Sequence, residues 1–502
     1  MRTAPFPILK ERRYNVAKMK LSHPRAGGLV VGMSQDGKEL YCTTEDTHTL
    51  ILGTTRSGKS RGLVLPSICL MALAGESIIA VDPKAELYLY TYPFLERLGY
   101  EVITIDFCSP LKSNRYNFLQ PVIDAVNQGD KALAVTRARD IAAMLVPNDR
   151  TERIWLDGQR SILTMGILAV VVDNMGHPEY QNMANAYQFI AKMCSPVGPR
   201  GELPIVRYLS ELPPDHPAQI AMSISQIAPD KMRGSFYTSA LVSLELFTDS
   251  AIHSMTAYTD FDCYTTGKNK RAVFIILPDY KSTYYSLASL FVYQQYQILA
   301  EVSAASGNRL PRRVNFLCDE LGNFTKITDF DKMITVGAGK GCRFHLFLQD
   351  FNQLDERYGD KVGKTIRSNA DTWVYLRSKD AATLKELSES LGRYTVKSPS
   401  LSGSTGGNMS ASYNLTGREL LTVSELEKIS RPYQLVKTGA DPVIMYAPDI
   451  SKTIFNRMLG LGDEAHNTAL ILQRGARRPE HPIETKYWGI WELYERLLKI
   501  AQ

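Results

Sequence analysis

Short apolar runs alternate with longer stretches of helical spacing near the start of the chain. An apolar run at 48–52 precedes a helical stretch at 63–74. Two further β-like runs, at 77–81 and 101–105, enclose a helical stretch at 85–98. Strands that alternate with helices are typical of a parallel β-sheet covered by helices. The pattern therefore predicts an α/β fold with a mostly parallel sheet.

The alternation stops between about residues 127 and 257, where helical spacing dominates, as at 132–145 and 154–172. This pattern predicts an all-α domain inserted into the α/β domain. Strand-like runs then return and complete the sheet, at 272–277, 314–318, 343–348 and 372–376.

Two later segments have their own patterns. Residues 398–412 are rich in Ser and Gly, a composition that predicts a mobile loop. Beyond residue 449, a basic cluster at Arg474, Arg477 and Arg478 precedes a short amphipathic stretch. We therefore expect a separate C-terminal tail.

Length and composition place only moderate limits on the possible fold and function. A chain of 502 residues is long enough for two or more domains. An excess of 58 Lys+Arg over 52 Asp+Glu permits nucleic-acid binding without requiring it. The seven cysteines form no CxxC pair, which fits a reducing cytoplasm and predicts no structural zinc site.

The best candidate for a membrane-spanning helix is the uncharged run 282–300. Several Ser, Thr and Gln residues interrupt it, which favours a buried helix of the domain. The N-terminus lacks the apolar core of a signal peptide. We therefore expect a soluble, cytoplasmic protein.

The sequence GTTRSGKS matches the phosphate-binding motif GxxxxGK[ST] and lies between a predicted strand and a predicted helix. Its glycines let backbone N–H groups surround phosphate oxygens, Lys59 reaches the β- and γ-phosphates, and the Ser60 hydroxyl is a ligand for Mg²⁺. ATP and Mg²⁺ are thus the expected cofactors. The motif consists of Gly53, Thr54, Thr55, Arg56, Ser57, Gly58, Lys59 and Ser60.

A second acidic site follows the predicted strand 314–318. Asp319 is expected to hold Mg²⁺ and Glu320 to be the base that polarises the attacking water. The next predicted strand ends at Gln349, which is either a sensor of the γ-phosphate or an ordinary surface amide. Motif and acidic pair together indicate an ATP-hydrolysing enzyme.

Several further blocks accompany these motifs in a fixed order: VDPKAELY, RYNFLQP, FLCDELGNF, FLQDFNQLDERYG and NLTGRELLTVSEL. In this combination the chain resembles the VirD/TraG coupling proteins of conjugation and type IV secretion, with several blocks close to forms in Gram-positive conjugative elements. The resemblance places Walker A on 53–60, Walker B on Asp319 and Glu320, and the strand-end glutamine on Gln349.

The resemblance implies a RecA-like P-loop NTPase domain at 46–126 and 258–450, with the all-α domain at 127–257. Residues 1–45 would form a basic arm with lead-in strands, and 451–502 a tail. It also implies a DNA translocase that assembles as a homo-hexamer around single-stranded DNA. The implied partners are the relaxase or relaxosome and the ATPases and membrane subunits of the secretion system.

The sequence departs from the family pattern in two places. Relatives typically begin with two transmembrane helices, which we do not find here, so that part is a separate subunit, or was removed, or this is a naturally soluble branch. We expect peripheral recruitment to the membrane. The basic N-terminus either docks on anionic lipid or on a membrane-spanning partner, or is simply a solvated arm; its basic residues are Lys10, Arg12, Arg13, Lys18, Lys20 and Arg25. Relatives also often carry an arginine before the glutamine strand. Here Lys340 is the first candidate for a finger that completes the neighbouring subunit's site, with Arg343, Arg377 and Arg418 in reserve.

Two other functions fit the same motifs. One is a double-stranded DNA pump of the FtsK/HerA type, whose expected winged-helix or clamp elements are not evident in the sequence. The other is a substrate-receptor module that nucleotide binding merely switches, a role with less need of the intact Asp319 and Glu320 pair.

Overall fold

The computed structural model describes residues 17–19, 24, 26–37, 39–147, 152–403, 409–439 and 441–500. It describes the backbone alone for 17–19, 224, 397–403 and 409–414. The hypothesis that the basic N-terminus docks on a membrane therefore concerns side chains outside the described part.

The strands in the described part of the chain are numbered in chain order. They are β1 (Ala17–Met19), β2 (Leu29–Met33), β3 (Leu40–Thr43), β4 (Thr49–Gly53), β5 (Ser77–Asp82), β6 (Glu101–Asp106), β7 (Arg271–Ile276), β8 (Val314–Cys318), β9 (Cys342–Leu348), β10 (Thr372–Arg377), β11 (Arg393–Gly403), β12 (Met409–Glu419), β13 (Tyr433–Lys437) and β14 (Val443–Tyr446).

The α-helices are numbered in the same way. They are α1 (Leu65–Leu73), α2 (Glu86–Arg97), α3 (Gln120–Asn127), α4 (Lys131–Leu145), α5 (Arg153–Asp173), α6 (Met183–Met193), α7 (Pro204–Glu211), α8 (Pro217–Gln226), α9 (Asp230–Leu244), α10 (Ser250–Thr256), α11 (Tyr285–Ala305), α12 (Phe330–Lys340), α13 (Asn352–Tyr358), α14 (Asp360–Ser368), α15 (Ala381–Ser390), α16 (Val423–Glu427), α17 (Asn456–Leu459), α18 (Glu464–Arg477) and α19 (Ile490–Ile500).

A nine-stranded sheet forms the centre of the molecule, in the order β14-β13-β10-β4-β9-β8-β5-β7-β6. The strands from β10 to β6 are parallel, and β13 and β14 join one edge antiparallel. The predicted α/β fold with a mostly parallel sheet is confirmed. Strand β4 lies between β9 and β10, so the residues that follow it emerge in the middle of the sheet's carboxyl edge.

Both faces of this sheet are buried, because successive strand residues point to opposite sides. Leu50 and Leu52 of β4 belong to one core, together with most of the helices that follow β6. Ile51 belongs to a second core, which contains α1, α2 and the strands β2 and β3 of the small sheet β1-β3-β2. Parallel strands covered on both sides read as continuous apolar runs, as the sequence shows.

Helices α3 to α10 lie between β6 and β7 in the chain, where helical spacing predicts them. Helices α3, α4, α6, α8 and α9 of this group contact α5, which is buried along most of its length. Within the described residues, α5 is the one helix long and apolar enough to cross a bilayer, and most of that stretch is buried. The uncharged run 282–300 falls almost entirely in α11, whose side chains are mostly buried, so the prediction of a buried helix there is confirmed.

In the Ser/Gly-rich segment 398–412, the described residues 398–403 and 409–412 form strands and not the predicted loop, and residues 404–408 lie outside the described part. Strands β11 and β12 form a two-stranded antiparallel ribbon, paired from Arg393 with Glu419 as far as Gly403 with Met409. Residues with strand propensity, such as Tyr394 and Val396, flank the segment. A ladder that starts in those flanks continues through residues that would not form a strand alone, which explains the wrong prediction.

The C-terminal part packs back on both cores. Helices α17 and α18 contact α2, and α19 contacts α6 and α7. The predicted basic cluster is part of this packing, since Arg477 forms an ion pair with Glu96 and Arg474 one with Asp106. These arginines therefore attach the tail to the sheet domain.

Candidate nucleotide-binding site

The phosphate-binding motif begins at the carboxyl end of β4 and continues into a π-helical turn, Ser60–Val64, and then α1. Open parallel sheets bind ligands at this edge. A pocket here is lined by three stretches of sequence and one more residue, namely Thr54 to Arg61, Asp82 to Lys84 with Glu86 and Leu87, Asp319 with Glu320, and Arg431. The structure thus brings the predicted motif and the predicted acidic pair together.

Close contacts with neighbouring side chains leave no room for a Cβ atom at either glycine of the motif. A Cβ atom at Gly53 would lie 2.4 Å from Ser57 Oγ. Gly58 has φ +99°, a conformation that side chains rarely adopt, and a Cβ there would lie 2.6 Å from Arg431 Nε. The loop is therefore folded tightly enough for its backbone to approach a phosphate.

Lys59 lies at the centre of the pocket's charges. Its Nζ donates to the Gly53 carbonyl at 2.7 Å, which holds the side chain across the loop. Burial lowers the pKa of Lys59, whereas the nearby carboxylates of Asp319 and Glu320 act in the opposite direction. A cation held in this way is placed to bind an anionic ligand.

The acidic pair follows β8 on the other side of the pocket. Burial raises the pKa of Asp319 to about 6, although the Lys59 ammonium acts to lower it. Glu320 has φ +54°, and its Oε2 accepts a hydrogen bond from Asn323 Nδ2 at 3.0 Å. The strained backbone and this bond fix the direction of the Glu320 carboxylate.

The residues Asp82, Pro83 and Lys84 of the block VDPKAELY are also part of the pocket. They line it where β5 ends. The Asp82 carboxylate accepts the Tyr88 N–H at 2.8 Å. Burial raises the pKa of Asp82 to about 7, and the charge of Asp319 adds to this effect.

Asp82→Asn should stabilise the nucleotide-free protein more at about pH 8 than at about pH 5. Because the folded-state pKa of about 7 exceeds the ordinary value of 3.8, the native state binds more protons than the unfolded state in that window. Wild-type stability therefore falls as pH rises through it, whereas asparagine keeps the acceptor and has no charge to bury. Thermal unfolding of both proteins at each pH tests this. A stability difference that does not grow with pH would contradict it.

Sequence reasoning missed the contribution of the C-terminal strands. Arg431 precedes β13, and its Nε and Nη2 donate to the carbonyls of Ser57 and Arg56 at 2.7 and 2.6 Å. Asp449, after β14, forms an ion pair with Arg61 at 2.6 Å. Both partners are hundreds of residues from the motif, so no local pattern signals them.

Gln349 and Lys340 do not line the pocket. Gln349 follows β9 at the same sheet edge, and its N–H donates to Gln353 Oε1 at 2.9 Å. Lys340 ends α12 directly before β9, so it lies at the opposite edge of the parallel sheet from the pocket of its own chain.

Arg343, a reserve candidate for the finger, is excluded by its surroundings. Its side chain is 1% exposed, contacts Glu76 and donates to Asn315 Oδ1 at 2.8 Å. A guanidinium committed to a buried ion pair in its own chain is not available to a neighbour. The sequence could not reveal this, because Glu76 is far from Arg343 in the chain.

One observation fits a phosphate ligand. The Ser57 hydroxyl is buried at the pocket wall and has no hydrogen-bond partner among the described residues. Mg²⁺ typically takes one or two protein ligands together with waters and substrate phosphates, and Ser60 with Asp319 offers such a set.

Comparisons with known proteins give the family. A model of type IV secretory system conjugative DNA transfer matches residues 8–447. Protein VirD4 of Rhizobium radiobacter is 26% identical over 83% of this chain, and the chain spans 59% of the length of that relative. Conjugal transfer protein TraG of Escherichia coli is 24% identical over 85% of this chain and 68% of TraG.

Solved structures show the same fold. The bacterial conjugative coupling protein TrwBdeltaN70 has a TM-score of 0.62 and 18% identity, covering 84% of this chain and 88% of its own. Plasmid coupling protein TrwB in complex with ADP and Mg²⁺ has a TM-score of 0.59 and 17% identity, with 84% and 89% coverage. The predicted RecA-like P-loop NTPase fold is confirmed. Because the family match spans most of the chain, the protein belongs to the type IV secretory system conjugative DNA transfer family, the group of VirD4- and TraG-like coupling proteins.

Proposed function

We propose that the protein is the ATP-hydrolysing coupling protein of a conjugative type IV secretion system and moves single-stranded DNA toward the secretion channel. The observation that carries the proposal is the pocket itself, in which Lys59 lies between the phosphate-binding loop and the Asp319 and Glu320 carboxylates. Phosphoryl transfer needs such an arrangement of positive and negative groups. Family membership supports the proposed cargo and partner machinery.

The residues divide the chemistry between them. Backbone N–H groups of 53–60 and the Lys59 ammonium bind the phosphates, and Ser60 and Asp319 would hold Mg²⁺, which neutralises charge on the phosphate oxygens. Glu320 accepts a proton from the attacking water, as a half-buried carboxylate of fixed direction can do. We propose that Gln349, which follows β9 at the same sheet edge, senses the γ-phosphate when nucleotide is bound; the alternative is an ordinary surface amide.

Translocation requires an assembly. We propose a homo-hexamer around the strand, with the RecA-like domain at 46–126 and 258–450 as the motor and the all-α domain at 127–257 as an insertion. The relaxase bound to the DNA, and the ATPases and membrane subunits of the secretion system, are the proposed partners. They imply a location at the inner face of the membrane.

Purified protein should hydrolyse ATP, and single-stranded DNA should stimulate turnover more than duplex of equal length. If phosphates provide most of the contact, log affinity should fall against log salt with a slope of about 0.7 per neutralised phosphate. Steady-state turnover with each DNA, and anisotropy of a labelled oligonucleotide over a salt series, make the measurements. Absence of any turnover would contradict the enzymatic function.

The same experiment separates the alternatives. Stronger stimulation by duplex would favour a double-stranded DNA pump. ATP binding without hydrolysis would favour a nucleotide-switched receptor module. The Glu320 carboxylate beside Lys59 favours hydrolysis, since a switch has less need of a base.

Lys340 can reach a nucleotide only in a neighbouring subunit, because it lies at the edge opposite its own pocket. Lys340→Ala should then keep ATP binding and assembly but lose turnover by about tenfold or more, and Lys340→Arg should keep or raise it. Mixed rings of Lys340→Ala and Glu320→Gln subunits test the action across an interface. No recovery in demonstrably mixed rings would turn attention to Arg377 and Arg418.

A further inference from the structure

Arg431 reaches the phosphate-binding loop because of the sheet's topology. Strand β13 runs antiparallel to β10, and β10 pairs with β4. The start of β13 therefore lies at the edge where β4 and β10 end. A residue just before β13, such as Arg431, is thereby placed beside the loop that follows Gly53.

The guanidinium contacts the loop from its outer side. A second cavity lies between the loop and the segments before β13 and after β14, and Arg431, Ser57 and Gly58 line it as well as the nucleotide pocket. The loop consequently separates two spaces. Arg431 lines both spaces, and two nitrogens of its planar, fork-shaped guanidinium donate to two successive carbonyls, those of Arg56 and Ser57.

These two bonds determine where the loop's N–H groups point. In a trans peptide the carbonyl oxygen and the following N–H point in opposite directions. Holding the carbonyls of Arg56 and Ser57 therefore turns the N–H groups of Ser57 and Gly58 away from Arg431. The Ser57 N–H is used within the loop, donating to Thr54 O at 3.1 Å. In the described part of the chain the Gly58 N–H has no backbone partner, which leaves it for a ligand.

The loop needs support at this point. Arg56 has φ +63°, a left-handed conformation that is strained for a residue with a side chain. Its carbonyl is one of the two that Arg431 binds. The bond compensates for the strain and stabilises the conformation in which Gly58 faces the pocket.

We propose that Arg431 is a positioning residue for nucleotide binding: its guanidinium holds the carbonyls of Arg56 and Ser57 and so preorients the Gly58 N–H toward the phosphates. This inference rests on the proposed ATP binding at the same loop. A planar fork is required, because one donor group has to serve two carbonyls in fixed directions.

Arg431→Ala should weaken ATP binding about 10- to 100-fold, the loss expected when charge-assisted hydrogen bonds are removed. The loop binds phosphate in the ground state and the transition state alike, so KM should rise while kcat changes little. Arg431→Lys should retain charge but not the fork and should fall between wild type and alanine. Isothermal titration with ATP and steady-state kinetics measure both quantities.

Chemical rescue separates geometry from charge. Ethylguanidinium in the millimolar range should restore affinity to Arg431→Ala, whereas ethylammonium, which has charge without a fork, should not. The matched control is Arg393→Ala, because this arginine of the β11–β12 ribbon is 67% exposed at the side chain and does not line the pocket. It should bind ATP like wild type.

Several results would overturn the inference. Wild-type affinity in Arg431→Ala or Arg431→Lys, equal rescue by both cations, or a fall in kcat with unchanged affinity would each do so. If the alanine variant does not fold, as thermal unfolding would reveal, the lysine variant decides in its place. A wild-type protein that binds no ATP would instead remove the proposed function, so the two failures are distinguishable.

Discussion

Glu320→Gln should bind ATP at least as tightly as the wild type and hydrolyse it about 10²- to 10⁴-fold more slowly, the usual cost of losing a general base. The amide keeps the size of the side chain and can still accept the bond from Asn323. It removes one negative charge from a pocket that also contains Asp319. Binding is therefore preserved while the proton acceptor is lost.

Single-turnover kinetics and titration with ATP provide the test. Glu356→Gln is a suitable control, because Glu356 is exposed on α13, after the neighbouring strand, and does not line the pocket. Asn323→Ala provides a second measurement. It removes the hydrogen bond that orients the Glu320 carboxylate but leaves the base in place, so kcat should fall less than in Glu320→Gln. Near-normal turnover of Glu320→Gln would show that the base lies elsewhere.

Much of the site could be predicted from sequence because its parts are local. The run GTTRSGKS and the pair Asp319 and Glu320 each follow a strand directly, and parallel strands bring their carboxyl ends to one edge. Apolar runs identified those strands, because the strands of a parallel sheet that is buried on both faces consist almost entirely of apolar residues. Position along a strand thus predicted position in the pocket.

The remaining features depend on contacts between distant segments. Arg431 and Asp449 reach the loop because two antiparallel strands extend the sheet beside β10. The role of Arg343 also depends on a contact with a distant segment, but here the contact excludes the predicted function. It was a candidate finger by position in the chain, but its charge is neutralised inside the core by Glu76.

Lys59→Ala should weaken ATP binding by about 100-fold or more. The charge-assisted hydrogen bonds to phosphate are lost, and the ammonium no longer offsets the repulsion between the phosphates and the carboxylates of the pocket. The structure adds a consequence for stability. Lys59 is the main group that lowers the pKa of Asp319, so its removal leaves Asp319 buried with less compensation.

The loss of stability in Lys59→Ala should therefore be larger at about pH 8, where the Asp319 carboxyl is ionised, than at about pH 5.5, where protonation removes much of its buried charge. Titration with ATP should be performed at the lower pH as well, where the variant is folded and the binding defect can be assigned to the phosphate contact. Lys379→Ala is the matched control, since this exposed lysine follows β10 at the same edge without lining the pocket. Unchanged ATP affinity in Lys59→Ala would remove Lys59 from the site, and an equal loss of stability at both pH values would show that it does not balance the buried Asp319 carboxylate.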